Sequence, residues 1–96
     1  MIKSLYNYFS GDAEVLVDLL QVTYKFAGDS KNRRFFGLTG ICSIVFINIE
    51  NLSSTKDILR YGLAAIEWLC DQDFQNTDEF VYLNAVYKIR SWIGWV

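Results

Sequence analysis

The chain has 96 residues, 52% hydrophobic and 21% charged, with a formal net charge of −2. That length suits one helical domain spanning residues 1–96, and the apolar content is too high for a disordered chain. The charge is too small for a typical nucleic-acid binder, which is basic, and too small for a DNA mimic, which is heavily acidic.

No histidine and no proline occur. The first absence removes the usual general base, the Ser-His and Cys-His nucleophile systems and the commonest metal ligand. The second favours long uninterrupted helices. Three Trp, six Tyr and seven Phe are hard to hide in a chain this short. Some are expected at the surface, where an apolar patch points to a partner.

In chain order, Ile2, Leu5, Tyr6 and Phe9 repeat at i, i+3, i+4 and i+7, which predicts a short helix that docks through that face. Gly11 separates it from a second helix over 12–27. Ser10 or Asp12 caps its start, Lys25 lies in its last turn and Gly28 follows as the C-terminal cap. Its expected stripe is Val15, Leu19, Val22 and Phe26, flanked by Leu16 and Leu20. Residues 28–34, GDSKNRR, read as a polar loop carrying the one basic cluster, Lys31, Arg33 and Arg34.

Phe35 to Ile49 then runs fifteen residues without a charge. Three readings compete. A buried helix would use Gly37, Gly40 and Ser43 for close approach. A buried strand would draw on Ile41, Ile44, Val45, Ile47 and Ile49, and an apolar run does not separate strand from helix by period. A membrane span would need about 20 apolar residues. The helix is preferred because no second strand is in sight. Arg33 and Arg34 before it and Glu50 after it nevertheless oppose its dipole.

Residues 50–55 read as a turn, with Ser54 or Thr55 capping a fourth segment. Leu59, Leu63, Ile66 and Cys70 form its stripe, widened by Ile58, Ala65 and Leu69. Gly62 is expected to pack closely, against the Gly37/Gly40 face. Residues 71–77 read as a second polar turn, and Thr77 as the N-cap of a last helix. Tyr82, Val86, Ile89 and Ile93 are expected on its inner face, with Val81, Ala85 and Trp92 beside them. Gly94 ends it, before an apolar tail of Trp95 and Val96. The fold expected is all-α: an antiparallel bundle of four main helices with a short N-terminal one.

Little chemistry is expected: no catalytic residue, no cofactor site and no metal site. Two lone cysteines, Cys42 and Cys70, in apolar runs read as reduced buried thiols rather than ligands or a disulfide. Asp71, Asp73, Asp78 and Glu79 look like turn and cap residues. The GLTG sequence at Gly37–Gly40 lacks the lysine of a phosphate loop. Asn51-Leu52-Ser53 fits the glycosylation pattern, but no secretory signal is expected from the broken apolar pattern at the start.

What remains is binding. The leading reading is a small cytoplasmic module, not an enzyme, that docks on another protein and can also self-associate. Amphipathic rings and exposed acids would carry the contact: Trp68, Tyr87, Trp92 and Trp95 with Asp71, Asp73, Asp78 and Glu79. A compact, acidic, histidine-free chain of this kind resembles in type the small accessory proteins of phages and mobile elements. These include stoichiometric inhibitors of host defence complexes. The alternatives are a membrane-associated protein using residues 35–49, or nucleic-acid binding through the basic loop and phenylalanines at 31–36.

Overall fold

The computed structural model describes residues 2–93. They form seven helices and no strand: α1 Ile2–Tyr8, α2 Ala13–Phe26, α3 Ser30–Leu38, α4 Ile41–Asn51, α5 Lys56–Cys70, α6 Phe74–Tyr82 and α7 Ala85–Trp92. The all-α expectation holds, but two of the four expected main helices are each a broken pair. None of the described helices is long and apolar enough to cross a membrane.

The first break falls inside the apolar stretch. α3 ends at Leu38, Thr39 and Gly40 turn, and α4 starts at Ile41. Gly40 has φ 82, a left-handed conformation that costs any L side chain. A long uncharged, mostly apolar run hides such a break, because it shows no clear period. The expected loop at 28–34 is mostly helix, since Asp29 starts α3 early. Its carboxylate accepts from the backbone N–H of Lys31 at 2.8 Å and of Asn32 at 3.3 Å. The break moves the arginines away from the start of α4 and into α3, while Glu50 stays in the last turn of α4 and is paired with Lys88 of α7 at 3.0 Å.

α4 shares the centre of the core with α5. It packs on α1, α3, α5 and α6. Ile41, Cys42, Val45, Phe46 and Ile49 are almost wholly buried, each large apolar side chain contributing roughly 1.5–3 kcal/mol. The polar groups of this stretch are satisfied locally. Thr39 Oγ1 donates to Phe36 O, Ser43 Oγ to Gly40 O, and Asn48 Nδ2 to Ile44 O at 2.8 Å. No buried side-chain N or O lacks a partner among the described residues.

α2 and α5 form the most extensive helix pair. Asp12 caps α2, accepting from Val15 N at 3.3 Å, as expected. Its far end differs: the C-cap is Ala27, in a right-handed conformation, one residue before Gly28. The buried stripe of α2 is Leu16, Leu19, Leu20 and Thr23, while Val22 and Phe26 face solvent. Thr23 is inside because its hydroxyl is fully used. It donates to Leu19 O at 2.8 Å, so Tyr6 of α1 must donate to Thr23 Oγ1, at 2.7 Å. That bond and the burial of Tyr6 dock α1 on the core, and burial pushes the phenol pKa upward.

On α5 the deepest residues are Ile58, Gly62, Ala65, Ile66 and Leu69, with Leu59, Leu63 and Cys70 at the margin of the face. Gly62 does permit close approach, but to α4: an added Cβ would lie 2.7 Å from Ile49 Cδ1. Gly37 serves α6 instead, where a Cβ would overlap the side-chain amide of Asn76.

Candidate functional site: the exposed face of α6 and α7

The expected turn at 71–77 ends early. Asp73, with extended backbone, caps α6 by accepting from Asn76 N at 3.0 Å. Thr77 is therefore a helix residue and not a cap. Its hydroxyl donates back to Asp73 O at 2.9 Å. The inward positions go to Asn76 and Phe80. At 100° per residue this places Phe74, Asp78, Val81 and Tyr82 together on the outside. Phe74 is 87% exposed and Tyr82 86%.

Asn84 then takes φ 62, breaks the helix and restarts it at Ala85. Asn tolerates the left-handed region better than most residues. The restart changes which side of the chain faces inward. Ala85 is buried and Ile89 half-buried, while Val86 and Tyr87 face solvent, Tyr87 by 70%. The inner face expected for a single last helix is thereby corrected: Tyr82, Val86 and Ile93 are exposed.

The predicted contact residues divide. Asp78, Glu79 and Tyr87 are exposed on α6 and α7. Asp73 is buried as a cap. Trp92 is half-buried with its ring centroid 5.2 Å from that of Phe46, so it belongs to the core margin. Trp68 is 40% exposed on α5. Asp71 is exposed but engaged, its carboxylate 3.7 Å from Arg33 Nη2. Trp95 lies outside the described residues. Sequence reasoning missed Phe74, Val81, Tyr82 and Val86 as surface groups. The signals available were Asp73 as an acid three residues before Asn76, and Asn84 as a residue suited to positive φ.

The basic cluster is corrected too. Arg33 is 6% exposed and structural. Nε donates to Ala27 O at 2.9 Å, Nη1 to Asp71 O at 2.6 Å and Nη2 to Gly28 O at 3.2 Å. Asn76 Nδ2 adds bonds to Arg33 O at 2.9 Å and Leu69 O at 2.8 Å. One guanidinium and one amide thus tie the end of α2 and the body of α3 to the α5–α6 turn. Lys31 and Arg34 alone of the three cations face solvent, which leaves a thin electrostatic footprint for nucleic acid.

Phe36 is buried, and Phe35 stands out beside an open apolar groove of about 340 Å³ between α1, α2 and α3. A smaller polar cleft of about 210 Å³ lies between the start of α3 and the α5–α6 turn.

Both cysteines are free thiols. Burial first, then the neighbouring Cys70, Glu79 and Asp73, push the Cys42 pKa up from near 9 to about 12. Burial likewise raises Cys70. Thiols shifted this way are poor nucleophiles near neutral pH. Among the described residues no three of His, Cys, Asp and Glu are grouped to hold a metal ion. Comparison with known proteins returns no similarity: no family model matches the chain, and no curated protein or solved structure matches it.

Proposed function

We propose that the chain is a small non-enzymatic interaction module that works by stoichiometric docking on another protein. The observation that carries this reading is the outer face of α6 and α7. Phe74, Val81 and Tyr82 are exposed on α6 with Asp78 and Glu79, and Val86 and Tyr87 are exposed on α7, which follows it directly. Aromatic rings in the open, mixed with a few charges, are the composition of an interface centre awaiting its counterpart. The acids select a basic surface on the partner.

The reading extends to an inhibitor of the phage or mobile-element type, acting in the cytoplasm by covering a functional surface of a host complex. If that complex grips nucleic acid, its basic groups are the natural counterparts of Asp78 and Glu79. The arrangement beneath the face is part of the proposal: with α3–α4 and α6–α7 each taken as one kinked unit, four main segments form an antiparallel scaffold.

The test is an affinity capture from cell extract read by mass spectrometry, comparing the native chain with a Phe74→Ser/Tyr82→Ser/Asp78→Lys variant. The expected result is one stoichiometric complex with the native chain and none with the variant. Capture unaffected by the three changes would refute the assignment of this face.

A further inference from the structure

The polar cleft between the start of α3 and the α5–α6 turn plays no part in the docking face. It holds about 210 Å³ and is lined by Ser30, Lys31, Arg33, Arg34, Gln72 and Asp73. Drug-sized ligands occupy roughly 300–1,000 Å³, so this space suits one small polar group. Half of the lining residues are cations, in a chain whose net charge is −2.

The charges around the cleft are unequally satisfied. Arg33 is structural: Nε, Nη1 and Nη2 each donate to a carbonyl, and the Asp71 carboxylate faces Nη2 at 3.7 Å. The other nearby acids are also committed to donors of this chain. Asp73 accepts from Asn76 N, and Asp29, beside Ser30, accepts from Lys31 N and Asn32 N. Lys31 and Arg34 differ from all of these. Both are exposed, and the ion pairs among the described residues, Arg33–Asp71 and Lys88–Glu50, include neither. They stand three apart on α3, a spacing at which like charges on a helix repel. An anion between them relieves that repulsion. Across the cleft, on the α5–α6 turn, exposed Gln72 brings a side-chain amide and holds φ 50, a conformation that costs most L residues.

We propose that this cleft binds a phosphate dianion, free or as the end of a small monoester. Two cations without an acidic partner match a group that carries about −1.5 to −2 near neutral pH. The donors available are the Lys31 ammonium, the Arg34 fork, the Ser30 hydroxyl and the Gln72 amide. A tetrahedral oxyanion accepts from several directions at once, whereas a planar carboxylate leaves part of such a set unused. Arg33 fixes the floor of the site, and Lys31 and Arg34 supply its charge. The proposal stands independently of the α6–α7 docking reading.

Backbone amide NMR of the full chain, titrated with inorganic phosphate against sodium chloride at equal ionic strength, tests this. The expected result is a set of saturable shifts centred on Ser30, Lys31, Gln72 and Asp73 that chloride does not produce. Lys31→Gln/Arg34→Gln should raise the dissociation constant about tenfold or more. Dimethyl phosphate, with a single charge, should bind about tenfold more weakly than inorganic phosphate. Gln72→Gly should weaken phosphate binding while the thermal midpoint stays close to that of the native chain, because glycine accepts φ 50. A Gln72 that served only structure would leave binding unchanged. O-phosphoserine binding more tightly than inorganic phosphate assigns the cleft to a monoester, and no gain assigns it to the free ion; either supports the dianion site. Circular dichroism checks that the variants stay helical. Shifts that chloride reproduces, shifts that never saturate, or a double variant that binds phosphate as the native chain does would each overturn the proposal.

Discussion

α4 and α6 pack against each other and turn their apolar residues opposite ways. α4 buries Ile41, Cys42, Val45, Phe46 and Ile49, whereas α6 buries Phe80 and leaves Phe74, Val81 and Tyr82 outside. α4 is also the more apolar of the two, but position decides where the rings of each helix go. α4 is met by α1, α3, α5 and α6, so nearly every direction finds a neighbour. The register of α6 is set by Asp73 and Asn76, which give the inner side to an amide and one ring. Substituting an exposed ring of α6 should therefore be nearly silent for stability, where substituting a buried ring of α4 is costly.

The largest contrast lies between two phenylalanines. Phe46→Ala should destabilise by about 3–5 kcal/mol, the cost of emptying a packed aromatic site. Phe74→Ser should stay within about 0.5 kcal/mol, as for other exposed positions. Urea unfolding followed by circular dichroism measures both.

The joint between α3 and α6 comes next. Asn76→Ala removes the amide that serves Arg33 O and Leu69 O, and leaving those buried carbonyls unmet should cost about 2–3 kcal/mol. Gly37→Ala forces a methyl into that amide and should cost about 1–3 kcal/mol by overpacking. If Asn76→Ala proved neutral, the joint would not hold α6 in register.

A smaller effect belongs to the break between α6 and α7. Asn84→Ala should cost about 1–2 kcal/mol, because alanine tolerates φ 62 poorly. Asn84→Gly should be close to neutral. Equal effects of the two would deny the left-handed turn that exposes Tyr82 and Val86.

The thiols give the smallest and most selective effect. Cys42 in the folded chain holds its proton to about 12, against near 9 when unfolded. The folded state therefore binds the proton more tightly. The stabilisation is fully present below pH 9 and is lost as pH rises from 9 toward 12. Cys42→Val should flatten that part of the stability profile. At neutral pH a thiol reagent should modify half-buried Cys70 before buried Cys42.

Much of this was legible in the residues. Asp12 announced α2, Tyr6 announced the docking of α1, and Gly62 announced a close approach. The breaks were not legible, for a physical reason. Gly40 sits inside an uncharged run whose few polar residues, Thr39, Ser43 and Asn48, set no period that would mark it. Asn84 looks like an ordinary polar position until its backbone is seen in the left-handed region. Each break rotates the following residues, and one misplaced start turned Tyr82 and Val86 inward on paper. The Lys31–Arg34 cluster misled differently. A basic run reads as solvated, yet Arg33 finds three carbonyl acceptors where α2, α3 and the α5–α6 turn meet. Only the tertiary fold supplies those partners.

The central claim is that the α6–α7 face serves recognition and not stability. The most direct test measures both on one variant, Phe74→Ser/Tyr82→Ser. The account predicts a thermal midpoint within a few degrees of the native chain, together with loss of the captured partner. A midpoint that collapses as it would for Phe46→Ala, or capture that persists undiminished, would contradict it.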